Sequence, residues 1–485
     1  MRLYKNNGFP SDYTTQMIRG DTLQKAMERQ NWRRYQRTLK KTVTSRKRAR
    51  WLEKYSPFFP WAMAIIFSLF FSFSGSSCRT GESHPVTSVD PVQVTPKQFL
   101  FSKNDIKTIF NQNTFINLQD KNFKFAVADK ILHVETSLDM PLQHYLLDRI
   151  EEVKRMKLGK PRYIGIVAID PETGRVLAMT SFDKEDSQSN RCLSSEFPAA
   201  SLFKIVTASA AIESGALNPG STLEYNGGKY TLYRSQLDDR KNRYTNRVTL
   251  KQSFAESINP IFGKIGANTL KKDLLLEYAE AFYFNHDINF ELPLPQSSFE
   301  ASDNPYERAE LASGFNRRTQ ISPLHSALLS ATILNHGKLL EPTIIDRITN
   351  EQGEVLYKND VKLINKTLSE ETSEALKYMM EATIKSGTAK KAFRGCKRDP
   401  VLSKLFIGGK TGSISNRQND LKYDWFAGFA EEKNGSKKIA IAVIVAHEKY
   451  LGPRACNYAK LAMKTFFQNV YARTLPKTNK EDYRS

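Results

Sequence analysis

The chain has 485 residues, 40% apolar and 25% charged, enough to bury one large core or two ordinary ones and too apolar for a disordered polymer. Its net charge of +21 is uneven: residues 1–56 hold 15 Lys/Arg against 4 Asp/Glu, and the remaining 429 residues share only +10, so the tail is the basic element and the bulk is not a nucleic-acid-coating surface. The four cysteines (Cys78, Cys192, Cys396, Cys456) show no CxxC spacing, which argues against a zinc or thioredoxin-type site; a disulfide among the last three and free buried thiols both stay open.

Residues 1–56 read as a basic cytoplasmic tail that touches anionic lipid, with Trp32–Arg37 and Arg46–Arg50 its densest blocks; no nucleic acid is expected as partner. An uncharged apolar run follows, and 57–75 reads as a single transmembrane helix with Trp61 at an interface. The charge placement puts the amino terminus in the cytoplasm and everything after the span outside, in the periplasmic direction. Residues 76–97, with Pro85, Pro91 and Pro96, read as an extended linker, and 98–135 as a small stalk segment.

From Thr136 the pattern turns globular, and 136–472 is expected to form the main domain, with a polar tail over 473–485. Apolar positions at helical spacing predict a helix over Met140–Met156. Two apolar runs, Tyr163–Ile169 and Arg175–Thr180, flank Asp170-Pro-Glu-Thr-Gly174 and predict a β-hairpin. A central helix is expected from about Ala200 to Ser214, with Gly215 as its stop. About 190 residues of helical and irregular sequence precede three predicted strands, Leu405–Ser415, Asp424–Ala430 and Lys438–Ala446, and a closing helix over 455–470. This order predicts an α+β fold in which an antiparallel sheet is covered by helices.

The central helix carries the chemistry. From Leu202 to Ile212 its only polar residues are Lys204, Thr207 and Ser209, so it belongs in a domain centre. Lys204 stands three residues after Ser201, above the same face. Desolvation disfavours its charged form, and a neutral amine beside a hydroxyl is a base beside a nucleophile. The same residues also fit a plainer arrangement in which Lys204 snorkels to water and Ser201 caps the helix.

Two further motifs follow in order: Ser257-Ile-Asn259 and Lys410-Thr-Gly-Ser413, the latter on the first late strand. Each piece is weak alone. SxxK recurs at Ser181–Lys184, and SxN at Ser102–Asn104 and Ser302–Asn304, all in polar stretches, whereas KTG occurs once. His325, His336 and His447 have no acidic or cysteine partners at ligand spacing and read as structural, so no metal or cofactor is expected.

Over roughly 136–470 the chain resembles the transpeptidase domain of penicillin-binding proteins, through the three ordered motifs, Asp170–Met179, Gln320–His325, Asn335-His-Gly337, Glu341-Pro342 and Trp425-Phe-Ala-Gly428. The resemblance implies a β-lactamase/transpeptidase-like fold: a five-stranded antiparallel sheet flanked by helices, with an all-helical subdomain, behind one transmembrane helix. It implies a D,D-transpeptidase acting on peptidoglycan stem peptides, with β-lactams as inhibitors and a separate membrane glycosyltransferase as partner. Catalytic roles fall to Ser201 (nucleophile), Lys204 (base), Ser257 (proton relay to the leaving amine), Asn259 (peptide binding) and Lys410 (positive charge). Thr411, Gly412 and Ser413 bind the substrate carboxylate and backbone, and the N–H groups of Ser201 and Ser413 form the oxyanion hole. The same motifs serve D,D-carboxypeptidases and β-lactamases, and a non-catalytic β-lactam or muropeptide sensor signalling through the basic tail is the rival of a different class. Two departures stand out: Ala199-Ala200 where relatives often carry glycine before the nucleophile, and Arg317-Arg318 in a stretch often glycine-rich.

Overall fold

The computed structural model describes residues 100–474. The expected tail, apolar run and linker, with most of 473–485, lie outside the described residues. No helix among the described residues is long and apolar enough to cross a membrane.

Helix α1 (Met140–Arg155) starts where the Asp139 side chain accepts from the Leu142 N–H and ends at Met156. Leu142, Leu146, Ile150 and Val153 form its buried stripe at helical spacing. Strands β1 (Tyr163–Ile169) and β2 (Val176–Asp183) form the predicted hairpin around Asp170–Gly174. Helix α2 (Lys204–Glu213) is buried from Lys204 to Ala211 and stops at Ser214, before Gly215 at φ +74°. Short helices α3 (Leu250–Ala255) and α4 (Asn259–Lys264) follow, then α5 (Pro305–Ser313), the wholly buried α6 (Pro323–Leu334) and α7 (Glu370–Lys385). Strands β3 (Leu405–Ser415), β4 (Lys422–Glu432) and β5 (Lys438–His447) and helix α8 (Ala455–Thr474) close the chain.

The five strands form one antiparallel sheet in the order β3-β4-β5-β1-β2, so the first hairpin joins the last strand and β3 is an edge. The side-chain period of two divides the strands between two cores. Val167, Ile169, Ala440, Ala442, Ile444 and Trp425 face the layer holding α2 and α6. Ile164, Ile166, Ile441, Val443 and Val445 face α1 and α8, against Leu146, Ile150, Ala462 and Met463. With both faces covered, the strands read as continuous apolar runs rather than alternating ones.

The helical layer is not all helical: it carries a hairpin, Thr222–Tyr225 against Asn246–Thr249. The stretch read as helical and irregular also contains Lys338–Leu340 paired with Leu363–Lys366, and Ile345–Thr349 paired with Val355–Lys358. These strands of three to five residues are too short to show a period in sequence. The segment before Thr136 is built into the same domain. Its hairpin, Asn122–Val127 with Lys130–Thr136, continues the small sheet onto Ile345–Thr349. Ile106, Phe110, Phe115, Leu132 and Val134 join the core that contains α2. Lys103 donates to the Pro342 carbonyl at 2.8 Å and lies 3.7 Å from the fully buried Glu291, which also accepts from Ile344 N–H and the hydroxyls of Thr343 and Tyr357.

Replacing Lys103 with Met leaves Glu291 without its nearest cation, and breaking a buried pair from one side destabilises by about 3 kcal/mol. The urea midpoint of the Lys103→Met domain is expected to fall accordingly with its m-value unchanged. A midpoint that does not move would mean that this segment contributes nothing to the domain's stability.

Candidate active site

The nucleophile candidate sits at a forced kink. Trp425 Nε1 donates to the Pro198 carbonyl at 3.0 Å, and Ala199 N–H donates to the Thr319 carbonyl at 2.9 Å, which fixes the chain entering the turn. Ala200 then takes φ +48°, a region unfavourable for a residue with a Cβ. Gly314, at φ +66°, lies so close that a Cβ there would stand 1.9 Å from the Ala200 carbonyl oxygen. The expected α-helix from Ala200 therefore begins as a 3₁₀ turn, Ala200–Phe203, and becomes α-helical only at Lys204. Because residues i and i+3 eclipse in a 3₁₀ turn, Ser201 and Lys204 stack directly, with Nζ 2.8 Å from Oγ.

Lys204 is fully buried. Its Nζ also lies 2.8 Å from Asn259 Oδ1 and bonds the Ser313 carbonyl. Burial holds its pKa well below the ordinary lysine value, and the neighbouring charge of Lys410 lowers it further.

Ser257 and Asn259 lie at a break between two helices. α3 ends at Ala255, Ser257 takes φ +58°, and α4 opens at Asn259. The Asn259 side chain bridges two elements: Oδ1 faces Lys204, and Nδ2 donates to the Tyr230 carbonyl at 3.0 Å. On β3, Lys410 is fully buried and donates to Ser257 Oγ and the Thr411 carbonyl, both at 2.9 Å. Desolvation pulls its pKa down to about 7. Gly412 faces the nucleophile's turn: a Cβ there would meet Trp425 Cβ at 3.2 Å and Ala200 Cβ at 3.3 Å, so glycine lets the strand approach without pushing either neighbour aside. Thr411 is half-buried and Ser413 exposed, both on the edge strand. All eight residues singled out in sequence thus belong to one groove along β3.

Three contributors carried no chemical signal in sequence. Ser313 and Tyr230 act through carbonyls, which no side-chain motif reports. Thr388 places its hydroxyl 2.5 Å from that of Thr411, and its N–H donates to the Ala255 carbonyl at 3.0 Å. The neighbouring Gly387 follows the end of α7 and reads in sequence as no more than a helix stop.

The recurring motif copies are structural. Ser102 and Asn304 cap helices, Ser181 Oγ donates to the Ser189 carbonyl, and Lys184 pairs with Glu448. His325 is buried in the core, its Nε2 2.7 Å from the Phe282 carbonyl and its pKa pushed down to about 4 by desolvation. Cys192, Cys396 and Cys456 are free thiols. Among the described residues no cluster of His, Cys, Asp and Glu could hold a metal ion. A cavity of about 550 Å³ beside the Asp170–Gly174 turn, lined by Asp139, Arg175, Lys438 and Arg473, contains none of the groove residues.

The family model for the penicillin-binding protein transpeptidase domain matches residues 164–471. The stage V sporulation protein D of Bacillus subtilis is 28% identical over 302 residues, covering 57% of this chain and 44% of the relative. The peptidoglycan D,D-transpeptidase PbpA of Mycolicibacterium smegmatis is 26% identical over 322 residues, covering 58% and 61%. The chain thus matches about half the length of these curated relatives. The solved D,D-transpeptidase domain of a peptidoglycan glycosyltransferase from Eggerthella lenta is 23% identical with a TM-score of 0.56, covering 70% of this chain and 83% of that one, and shares the fold.

Gly314→Ala should displace the Ala200 carbonyl and misplace Ser201, beyond the roughly 1 kcal/mol of left-handed strain. Labelling by a fluorescent penicillin is expected to slow at least tenfold. Unchanged labelling would show that this contact does not set the nucleophile.

Proposed function

Since the chain belongs to the penicillin-binding protein transpeptidase family, we propose that it is a D,D-transpeptidase cross-linking peptidoglycan stem peptides through a Ser201 acyl-enzyme. The observation that carries this reading is the 2.8 Å approach of the Ser201 hydroxyl to a lysine amine whose charged form burial disfavours.

Neutral Lys204 accepts the Ser201 proton as Oγ attacks the carbonyl carbon of the penultimate D-alanine. The N–H groups of Ser201 and Ser413 stabilise the resulting oxyanion. The tetrahedral species collapses by breaking the bond to the terminal D-alanine, whose nitrogen takes a proton through Ser257, backed by Lys410 at 2.9 Å. The Thr411 and Ser413 hydroxyls hold the terminal carboxylate, and Lys410 draws it in. The remaining Asn259 amide N–H contacts the substrate backbone. An amine from a neighbouring stem peptide then attacks the ester and regenerates Ser201; attack by water instead gives the carboxypeptidase reaction. A β-lactam acylates the same hydroxyl and blocks it.

In this reading residues 57–75 anchor the chain in the cytoplasmic membrane, residues 1–56 face the cytoplasm and contact anionic lipid, and the catalytic domain works outside. The +11 carried by the tail next to an uncharged apolar run supports that orientation. A separate membrane glycosyltransferase supplies the glycan strands.

Benzylpenicillin is expected to leave a covalent adduct located by mass spectrometry on Ser201, absent from Ser201→Ala and persisting for many minutes. An adduct elsewhere overturns the site, and rapid loss marks a β-lactamase. The pH profile of acylation by a carboxylate-bearing substrate follows from the two lysines. Lys204 must be neutral, so the rate rises as pH passes upward through its lowered pKa. Lys410 must be charged, so kcat/KM falls as pH rises through about 7. In Lys410→Arg the alkaline limb should move up by several pH units, because guanidinium stays charged.

A further inference from the structure

The loop behind the nucleophile presents a cation that the catalytic groups do not use. Residues 313–319 are pinned at both ends: the Ser313 carbonyl meets Lys204, Gly314 lies against the Ala200 carbonyl, and the Thr319 carbonyl accepts from Ala199 N–H at 2.9 Å. Buried Asn316 sets the turn between them, its Oδ1 accepting from the N–H groups of Arg318 at 2.9 Å and Thr319 at 2.8 Å. Phe315, Arg317 and Arg318 are left exposed. Arg318 pairs with Glu307 at 3.4 Å. Arg317 has no carboxylate partner among the described residues. Its Nε donates to the Ser415 carbonyl at 2.8 Å, which ties the guanidinium to the end of β3 and leaves its two Nη groups open.

Ser415 stands two residues beyond Ser413 on an edge strand. A peptide lying antiparallel to that edge, with its terminal carboxylate at Thr411 and Ser413 and its scissile carbonyl at the Ser413 N–H, runs on toward Ser415. At about 3.3 Å per residue, the residue preceding the two alanines lies opposite Ile414, one position short of Ser415, so its side chain comes within reach of the Arg317 guanidinium tied there. We propose that Arg317 is a specificity-determining residue of the donor site, taking a free carboxylate on the stem-peptide residue that precedes D-alanyl-D-alanine. The favoured substrate carries there a side chain that ends in a free, unamidated carboxylate. A planar fork held at its Nε can take both oxygens at once, which a lysine in the same place cannot. The inference rests on the transpeptidase reading and names the substrate class of that same groove.

The test uses two synthetic donor peptides ending in D-alanyl-D-alanine, identical except that the preceding residue bears a side-chain carboxylate or its amide. Release of D-alanine is measured without an acceptor amine, so kcat/KM reads donor binding and acylation and no acceptor preference enters. In the wild-type protein kcat/KM should favour the carboxylate donor about tenfold, and added salt should shrink the preference. In Arg317→Gln the ratio of the two donors should collapse to about one, and Arg317→Lys should retain only part of it. Equal kcat/KM for the two donors in the wild type, or a ratio unchanged in Arg317→Gln, overturns the proposal. Failure of benzylpenicillin to label Ser201 in the wild type overturns the transpeptidase reading beneath it, and is scored separately.

Discussion

The site depends on one desolvated amine. Lys204 has three polar neighbours: Asn259 Oδ1, the Ser313 carbonyl and the Ser201 hydroxyl. A neutral amine has two N–H donors and one lone pair. The two carbonyl-type oxygens can only accept, so they take both N–H groups. The lone pair is then left for the one neighbour that owns a proton, the Ser201 hydroxyl. A charged ammonium would also satisfy the three neighbours, but it would be a donor to Ser201 and useless as a base. Burial, with the Lys410 charge behind it, shifts the balance between the two states toward the base.

That arrangement is held by backbone the chain does not adopt freely. Ala200 and Ser257 both have positive φ without being glycine, and each takes about 1–2 kcal/mol of strain. Both adjoin the proposed chemistry: one precedes Ser201, the other is Ser257 itself. The packing around them over-determines the conformation. Trp425 is fully buried and bonded to Pro198, Phe197 lies in the same core, and Gly314 and Gly412 close on the Ala200 turn from two sides. The positive φ at Ala200 is one that glycine adopts without strain, so this chain must make up for the Cβ it carries there.

Much of this was legible in sequence. The five sheet strands, α1 and α8 could be read because their apolar runs are long, and Lys204 because a lysine inside an apolar helix has few destinations. The site was legible as an order of three motifs, and its geometry then followed from β3 lying at the sheet edge beside both helix ends. What sequence hid has physical reasons. The 3₁₀ turn at Ala200–Phe203 packs against Gly314, more than 100 residues away, a contact that local propensity does not report. The first 36 described residues look like a stalk because the strand that ties them to the domain, Lys130–Thr136, finds its partner, Ile345–Thr349, more than 200 residues later, and that partner is only five residues long. Carbonyl contributors such as Ser313 and Tyr230 are invisible to any side-chain pattern.

The two lysines also act on each other. In the free groove burial lowers the pKa of both lysines, and the charge of Lys410 lowers that of Lys204 further. In the proposed mechanism, a substrate carboxylate at Thr411 and Ser413 would bring a negative charge beside Lys410 and favour its protonated form. The same carboxylate offsets the field that Lys410 exerts on Lys204 and so strengthens Lys204 as a base while substrate is present. A carboxylate at the end of the peptide is then more than an anchor. It moves the two amines in the groove toward the pair of states, one charged and one neutral, that acyl transfer needs, which is a reason for this architecture to bury two lysines in one groove rather than one.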